Sequence, residues 1–179
     1  MSLLYVSLGA NIGEREATLR CAVREMEHRI GPCVALSRMY ETAPVGFDSP
    51  HAFLNAAAAF RVDFERLGEK AGGLIDETDG LPTVAAALRV LAITQEIERE
   101  LGRLRKSIGG RYADRPIDID LLLWGDLQMA RPELTLPHPH LHERAFVINP
   151  LAEIAPDLLH PTLGQSIRAI KAILSSSQP

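Results

Sequence analysis

The run Arg115-Pro116-Ile117-Asp118-Ile119-Asp120-Leu121-Leu122-Leu123-Trp124 limits the fold more than any other stretch of the chain. From Ile117 onward it is apolar and β-prone, which places it in a sheet, yet aspartates interrupt it at two alternate positions. Alternation on a strand sends Asp118 and Asp120 to one face and Ile117, Ile119 and Leu121 to the other. The sheet must therefore bury one face of this strand and give the other to water or a ligand. Adjacent carboxylates repel and lose hydration when covered, so at least one pKa rises unless a cation stands between them. Residues i and i+2 of a strand lie roughly 6.5 Å apart. Their carboxylates can converge on two ions about 4 Å apart, the spacing of two-metal phosphoryl chemistry, and oxygen donors favour Mg²⁺ over zinc. A solvated antiparallel strand would show the same spacing, so the pair alone does not decide the matter.

The flanks carry the next step. Between Arg99 and Arg115 stand Arg99, Arg103, Arg105, Lys106, Arg111 and Arg115 against Glu100 and Asp114, in a chain whose net charge is −4. Guanidinium forks beside a metal-binding acid pair are what a polyphosphate needs, although a basic helix C-terminus has its own rationale. The acidic overall balance argues against a general nucleic-acid binder. No G-x-x-x-x-G-K-[ST] or G-x-G-x-x-G motif occurs, so phosphate binding must come from side chains.

At 179 residues and 46% hydrophobic content, one domain spanning 1–179 is expected. Cys21 and Cys33 lie amid apolar residues and read as reduced core thiols, which points to a cytoplasmic setting. The start lacks a basic leader and no apolar run reaches membrane-spanning length, so no membrane partner is expected.

Leu3–Leu8 reads as a first strand. Leu19, Ala22, Val23, Met26 and Ile30 repeat at helical spacing until Gly31-Pro32 stops them. Val34–Glu41 and Phe53–Val62 read as further strands. In the latter, Leu54, Ala56, Ala58, Phe60 and Val62 share one face, which leaves Phe53 and Asn55 on the other, where an aromatic ring and an amide can cup a flat heterocycle. Asn55 could equally bond nearby backbone at a strand end. Residues 64–82 read as an exposed surface insertion. A long helix is expected over Thr83–Leu101, with Gln95 and Glu98 a turn apart near its basic end. Gly125-Asp126 should fold the acid-pair strand into a hairpin with Leu127–Ala130. Ile167, Ile170, Ile173 and Leu174 predict a closing amphipathic helix. The order strand, helix, strand, strand, helix, strand is that of the ferredoxin-like βαββαβ unit, an α+β fold with helices on one face, here extended by a C-terminal hairpin and helices. Histidines 138, 140 and 142 alternate, but Pro139 disturbs the alternation and no cysteine completes a zinc site, so phosphate hydrogen bonding is the preferred role.

Together, Tyr5-Val6-Ser7-Leu8-Gly9-Ala10-Asn11, Tyr40-Glu41-Thr42-Ala43-Pro44, Phe53-Leu54-Asn55-Ala56, Glu100-Leu101-Gly102-Arg103-Leu104-Arg105, Arg115-Pro116-Ile117-Asp118-Ile119-Asp120-Leu121 and Leu136-Pro137-His138-Pro139 resemble the hydroxymethyl-dihydropterin pyrophosphokinase family. The resemblance covers nearly the whole chain. It implies transfer of pyrophosphate from ATP to 6-hydroxymethyl-7,8-dihydropterin in folate biosynthesis, by a monomer, with two Mg²⁺ ions on Asp118 and Asp120. Arg103, Arg105, Arg111, Arg115, His138 and Arg144 would clamp phosphate, with Arg103 and Arg115 catalytic alongside the aspartates. Gln95, Glu98, Leu121 and Thr135 would lie on the nucleotide side. Thr42, Pro44, Val45, Phe53, Asn55, Tyr112 and Phe146 would line the pterin pocket, the ring lying between Tyr112 and Phe146. Tyr112 stands where the family often has Trp, and the spacing from Arg103 to Tyr112 is slightly long. Two rivals remain on the residues alone: a nucleotidyl- or glycosyltransferase holding a metal-nucleotide on Asp-x-Asp, and a ferredoxin-like nucleotide- or RNA-binding module. The second lacks the aromatic, basic sheet surface that RNA readers use.

Overall fold

β1 (Leu3–Ala10) is the strand on which the sheet is built, because both of its neighbours pair with it antiparallel: β4 (Phe53–Arg61) on one side and β5 (Asp118–Trp124) on the other. The computed structural model describes residues 3–67, 82–103 and 113–176. β2 (Cys33–Leu36) and β3 (Tyr40–Thr42) both pair with β4, and the strand order is β2-β4-β1-β5. The fold is thus mixed α/β with an antiparallel sheet.

The period-2 pattern builds the first core. Leu4, Val6 and Leu8 of β1 share a face with Ala58, Phe60, Ile119 and Leu121. Against it pack Leu19, Ala22 and Met26 of α1 (Arg15–Arg29) and Ala87, Val90 and Ile97 of α2 (Val84–Glu100). α2 starts where Thr83 caps it, its side chain accepting from Ala86 N. After α1, Gly31 adopts φ +143°, and a Cβ there would stand 2.2 Å from Arg61 O, so only glycine permits the chain to turn onto β2.

The second face differs from the one-sided layering expected. α3 (Ala145–Ile154) and α4 (Ile167–Ser176) cover half of it, Val147, Ile148, Leu151, Ile167 and Ile170 burying Ala57, Leu122 and Leu123. The register shift between Tyr5 and Val6 leaves Leu122 as the extra residue of a bulge in β5. Leu122 and Leu123 both join this second cluster, and Trp124 returns to the first, where it stacks on Phe64 at 6.0 Å. The opposite end of the same face, carrying Ser7, Gly9, Asn55, Asp118 and Asp120, stays open.

Several expectations are corrected. The strand over Val34–Glu41 is two strands, because Ser37 Oγ accepts from Ala57 N and so replaces a ladder hydrogen bond. The turn at Gly125 does not return a strand to β5. Gly125 N donates to Leu3 O instead, and the hairpin forms between β6 (Met129–Ala130) and β7 (Thr135–Leu136). Phe64 and Leu67, expected at the exposed start of the insertion, pack into the first core; residues 68–81 lie outside the described residues. Ile173 is exposed on α4, and Cys21 and Cys33 are free, as expected, but half-buried, Cys33 packing against the edge of the first core. Among the described residues no helix is long and apolar enough to cross a membrane.

Candidate active site

Two clefts meet at the acid pair. The first, about 630 Å³ with open solvent included, is lined by Thr42, Val45, Phe47, Phe53, Asn55, Arg144 and Phe146, and reaches Arg115, Asp118 and Asp120. The second, about 920 Å³ counted the same way, is lined by Gln95, Glu98, Arg103, Leu121, Thr135 and His138, and reaches the same two aspartates.

β4 and β1 make the floor of the first cleft. Asn55 pairs with Gly9 across the ladder, is 3% exposed, and donates from Nδ2 to Thr42 Oγ1 at 2.9 Å. A Cβ on Gly9 would come within 3.2 Å of Asn55 Oδ1 and 3.7 Å of Phe53, so the bare backbone keeps the floor flat. Phe47 meets Phe53 edge-on at 6.2 Å. The Arg115 guanidinium lies 5.2 Å from the Phe53 ring centre and that of Arg144 lies 5.7 Å from the Phe146 ring.

At the junction, Asp118 is held from both sides. Arg103 Nη1 contacts its Oδ1, and Arg115 Nη2 stands 2.7 Å from its Oδ2. Glu98, buried in α2, backs this arrangement: its Oε1 accepts from Arg103 Nη1 at 2.6 Å and from Ile119 N at 2.8 Å, tying the helix to the acid strand. Burial works against the Arg103 charge, but Asp118 and Glu98 outweigh it and hold the guanidinium pKa above its ordinary value. Asp120 pairs with Ser7 across the ladder. Burial, and then repulsion from Asp118, pushes its carboxyl up to about 7, with Arg115 opposing. This donor set suits a hard divalent cation. Two carboxylates share one open face, and among the described residues no group of three or more His, Cys, Asp or Glu side chains is placed to hold a metal, so the remaining ligands would be water and phosphate oxygens, as Mg²⁺ prefers.

His138 is half-buried at the edge of the second cleft. Burial, then the charges of Arg144 and His140, pushes its pKa down to about 4, so the ring is neutral at pH 7. Its Nδ1 accepts from His140 N at 3.2 Å, which assigns the proton to Nε2 and makes that atom a donor. The other two alternating histidines both meet Glu143, His140 Nδ1 at 2.8 Å and His142 Nε2 at 3.6 Å, and His142 also packs edge-on to His160 at 6.2 Å.

Most of the residues singled out in the sequence are brought together here. Gln95, Glu98, Leu121, Thr135 and His138 gather at the second cleft, and Thr42, Val45, Phe53, Asn55 and Phe146 at the first. Arg144 lies on the first cleft rather than among the second cleft's lining, and Pro44 is half-buried between two lining residues without lining the cleft itself. Arg105, Lys106, Arg111 and Tyr112 lie outside the described residues. Sequence reasoning missed Ser7, Gly9 and Phe47. Of these, Ser7 and Gly9 were accessible from alternation, since they share the phase of the residues opposite Leu4, Val6 and Leu8.

Fold and clefts together define a class: mixed α/β enzymes whose two ligand clefts open on one carboxylate pair. The chain belongs to the 7,8-dihydro-6-hydroxymethylpterin-pyrophosphokinase (HPPK) family, whose profile matches residues 5–71 and 80–156. It is 44% identical over 162 residues to the 2-amino-4-hydroxy-6-hydroxymethyldihydropteridine pyrophosphokinase of Porphyromonas gingivalis, covering 90% of this chain and 95% of that one. The Bacillus subtilis protein of the same name is 34% identical over 154 residues, covering 86% and 78%. In fold, the chain is similar to wild-type Plasmodium falciparum HPPK-DHPS crystallised with pteroate, at a TM-score of 0.66 and 12% identity. That match covers 98% of this chain but 44% of the other, so the chain spans less than half of that longer protein.

Proposed function

We infer that this chain transfers the pyrophosphoryl group of ATP to 6-hydroxymethyl-7,8-dihydropterin, releasing AMP and the pterin diphosphate for folate biosynthesis. The observation that carries this reading is the meeting of an aromatic-and-amide cleft with a second, polar cleft, which holds Arg103 and His138, at one carboxylate pair. The flat heterocycle would occupy the first, where Asn55 and Thr42 offer polar atoms to its amide edge and Phe146, with Tyr112, would stack on its ring. The nucleotide would occupy the second, with the base and ribose toward Gln95, Leu121 and Thr135, and the phosphates toward the His138 Nε2 proton, Arg103, Arg105 and Arg111.

The hydroxymethyl oxygen would attack the β-phosphorus in line, with AMP leaving. Two Mg²⁺ ions held by Asp118, Asp120 and phosphate oxygens would supply charge neutralisation and acidify the attacking hydroxyl. The protein's own share is positioning. Arg103 and Arg115 fix Asp118, Glu98 fixes Arg103, and Arg115 and Arg144 add positive charge where negative charge gathers. We read the sheet, with β2 and β3 taken as one interrupted strand, as ferredoxin-like, a reading that the order β2-β4-β1-β5 supports. We read residues 1–179 as one domain with an insertion within 64–82, in keeping with a family match that passes over 72–79. It would act as a monomer, both clefts being built from one chain, in a reducing compartment such as the cytoplasm that suits two free thiols. Incubation of the purified protein with ATP, Mg²⁺ and 6-hydroxymethyl-7,8-dihydropterin should yield AMP; ADP instead would mean single phosphoryl transfer and overturn the reading.

A further inference from the structure

Asn11, where the chain leaves β1, is 3% exposed and uses its backbone N–H and both side-chain polar atoms on two segments far away in sequence. Its backbone N–H donates to Arg115 O at 3.1 Å, and its Oδ1 accepts from Arg115 N at 2.7 Å. Its Nδ2 donates to Asp114 Oδ1 at 2.7 Å and to His51 O at 3.4 Å. Asp114 Oδ1 also accepts from Ser49 Oγ at 2.5 Å, and Ser49 Oγ in turn accepts from His51 N at 3.1 Å. Ser49 lies two residues past Phe47, in the loop whose Val45, Gly46 and Phe47 line the first cleft. Asp114 immediately precedes Arg115, whose guanidinium bridges the Phe53 ring and the Asp118 carboxylate. One carboxylate thus fastens the wall of the first cleft to the arginine that sets the acid pair.

We propose that Asp114 is a positioning residue that couples the 45–50 loop to Arg115, and through it to Asp118. Withdrawing the loop from the first cleft pulls on Asp114 and shifts the backbone of Arg115, so an open loop and a correctly seated acid pair exclude each other. The Ser49 hydrogen bond to a charged oxygen, with His51 Nε2 3.9 Å from the other oxygen and a buried Asn11 as anchor, is strong enough for this and weak enough to break. The assignment of ligands to clefts rests on the function proposed above.

The test uses Ser49→Ala, Asp114→Ala, their double variant and Asp114→Asn, whose amide oxygen keeps an acceptor for both Asn11 and Ser49. Each alanine variant should raise the KM for the pterin about tenfold, the scale of one charged hydrogen bond, and leave the KM for ATP nearly unchanged. The double variant should be no worse than Asp114→Ala alone, since both remove the same bond, and Asp114→Asn should recover most of the loss. Independently of turnover, amide hydrogen exchange in the ligand-free protein should quicken at both 45–52 and 113–116 in either single variant. Additive kinetic effects, or exchange that quickens only in the mutated segment, would refute the coupling. A protein in which both segments respond but the wild type makes no AMP would keep the coupling and remove the assigned reaction. If Asp114→Ala does not fold, Ser49→Ala alone decides, because it must still loosen 113–116.

Discussion

The second face of the sheet is one surface with two fates. Toward Trp124 it carries Ala57, Leu122 and Leu123 and is sealed by α3 and α4; toward the start of β5 it carries Ser7, Gly9, Asn55, Asp118 and Asp120 and lies open. The same three strands supply both halves, so strand order does not make the difference. Side chains do. Where they are apolar, a helix gains by covering them; where two carboxylates stand side by side, covering them costs more than a helix can return. The lesson is that a site need not be added to a fold. Here it is the part of a core face that was never made coverable.

The sharpest break of this comparison is Asp118→Asn, which removes charge at the junction and keeps the volume. Turnover should fall by about 10²–10³-fold with the circular dichroism spectrum unchanged, and an enzyme retaining a tenth of its rate would show that the reaction centre lies elsewhere. On the sealed half the effect should be the reverse. Leu151→Ala should cost about 2–5 kcal/mol of stability in urea unfolding, while kcat per folded molecule stays put; a selective loss of kcat would mean the two halves are not separable.

Asp120→Asn probes the cost of leaving the open half open. Its folded pKa of about 7 lies above the unfolded carboxylate value, so the residue's contribution to stability is intact below about pH 4 and is lost as pH rises through 7. The variant should therefore unfold later than the wild type at pH 8 without ligands, by on the order of 4 kcal/mol, and the gap should close toward pH 4. Equal unfolding curves at both pH values would mean that Asp120 carries no such penalty. The smallest effect is expected at the border of the halves, where Phe146 stands on the helix that seals one and lines the other. Phe146→Ala should weaken pterin binding by about 1–2 kcal/mol in calorimetry and leave nucleotide binding alone; equal losses for both would contradict its place in the first cleft.

The acid strand, α1 and α2 were legible because periodicity and capping are local. Ile117, Ile119 and Leu121 face one way and the aspartates the other, and Thr83 marks a helix start without help from distant residues. Phe53 and Asn55 were legible from alternation, but the rest of both cleft groups only through resemblance, because spacing places no two distant segments together. α3 was not legible: Pro150 reads as a breaker, and the helix is apolar around too much of its circumference to show a stripe, because it is pressed between the sheet and α4. The split between β2 and β3 depends on Ser37 bonding Ala57, a contact across 20 residues that no local pattern announces. Gly9 is visible as a requirement only once Asn55 and Phe53 are known to stand over it.

The bulge at Leu122 reaches beyond packing. A strand without one is a rigid ruler, in which any inserted or deleted residue inverts every side chain downstream. In β5 the phase is already reset halfway along, so the segment after Leu122 answers to Trp124 and its neighbours, while the segment before it keeps Ile119 and Leu121 in the first core and Asp118 and Asp120 on the open face. The two ends can therefore drift independently through sequence space. Evolution, or an engineer, can rewrite the anchoring end of this strand and inherit the chemistry of the other end untouched.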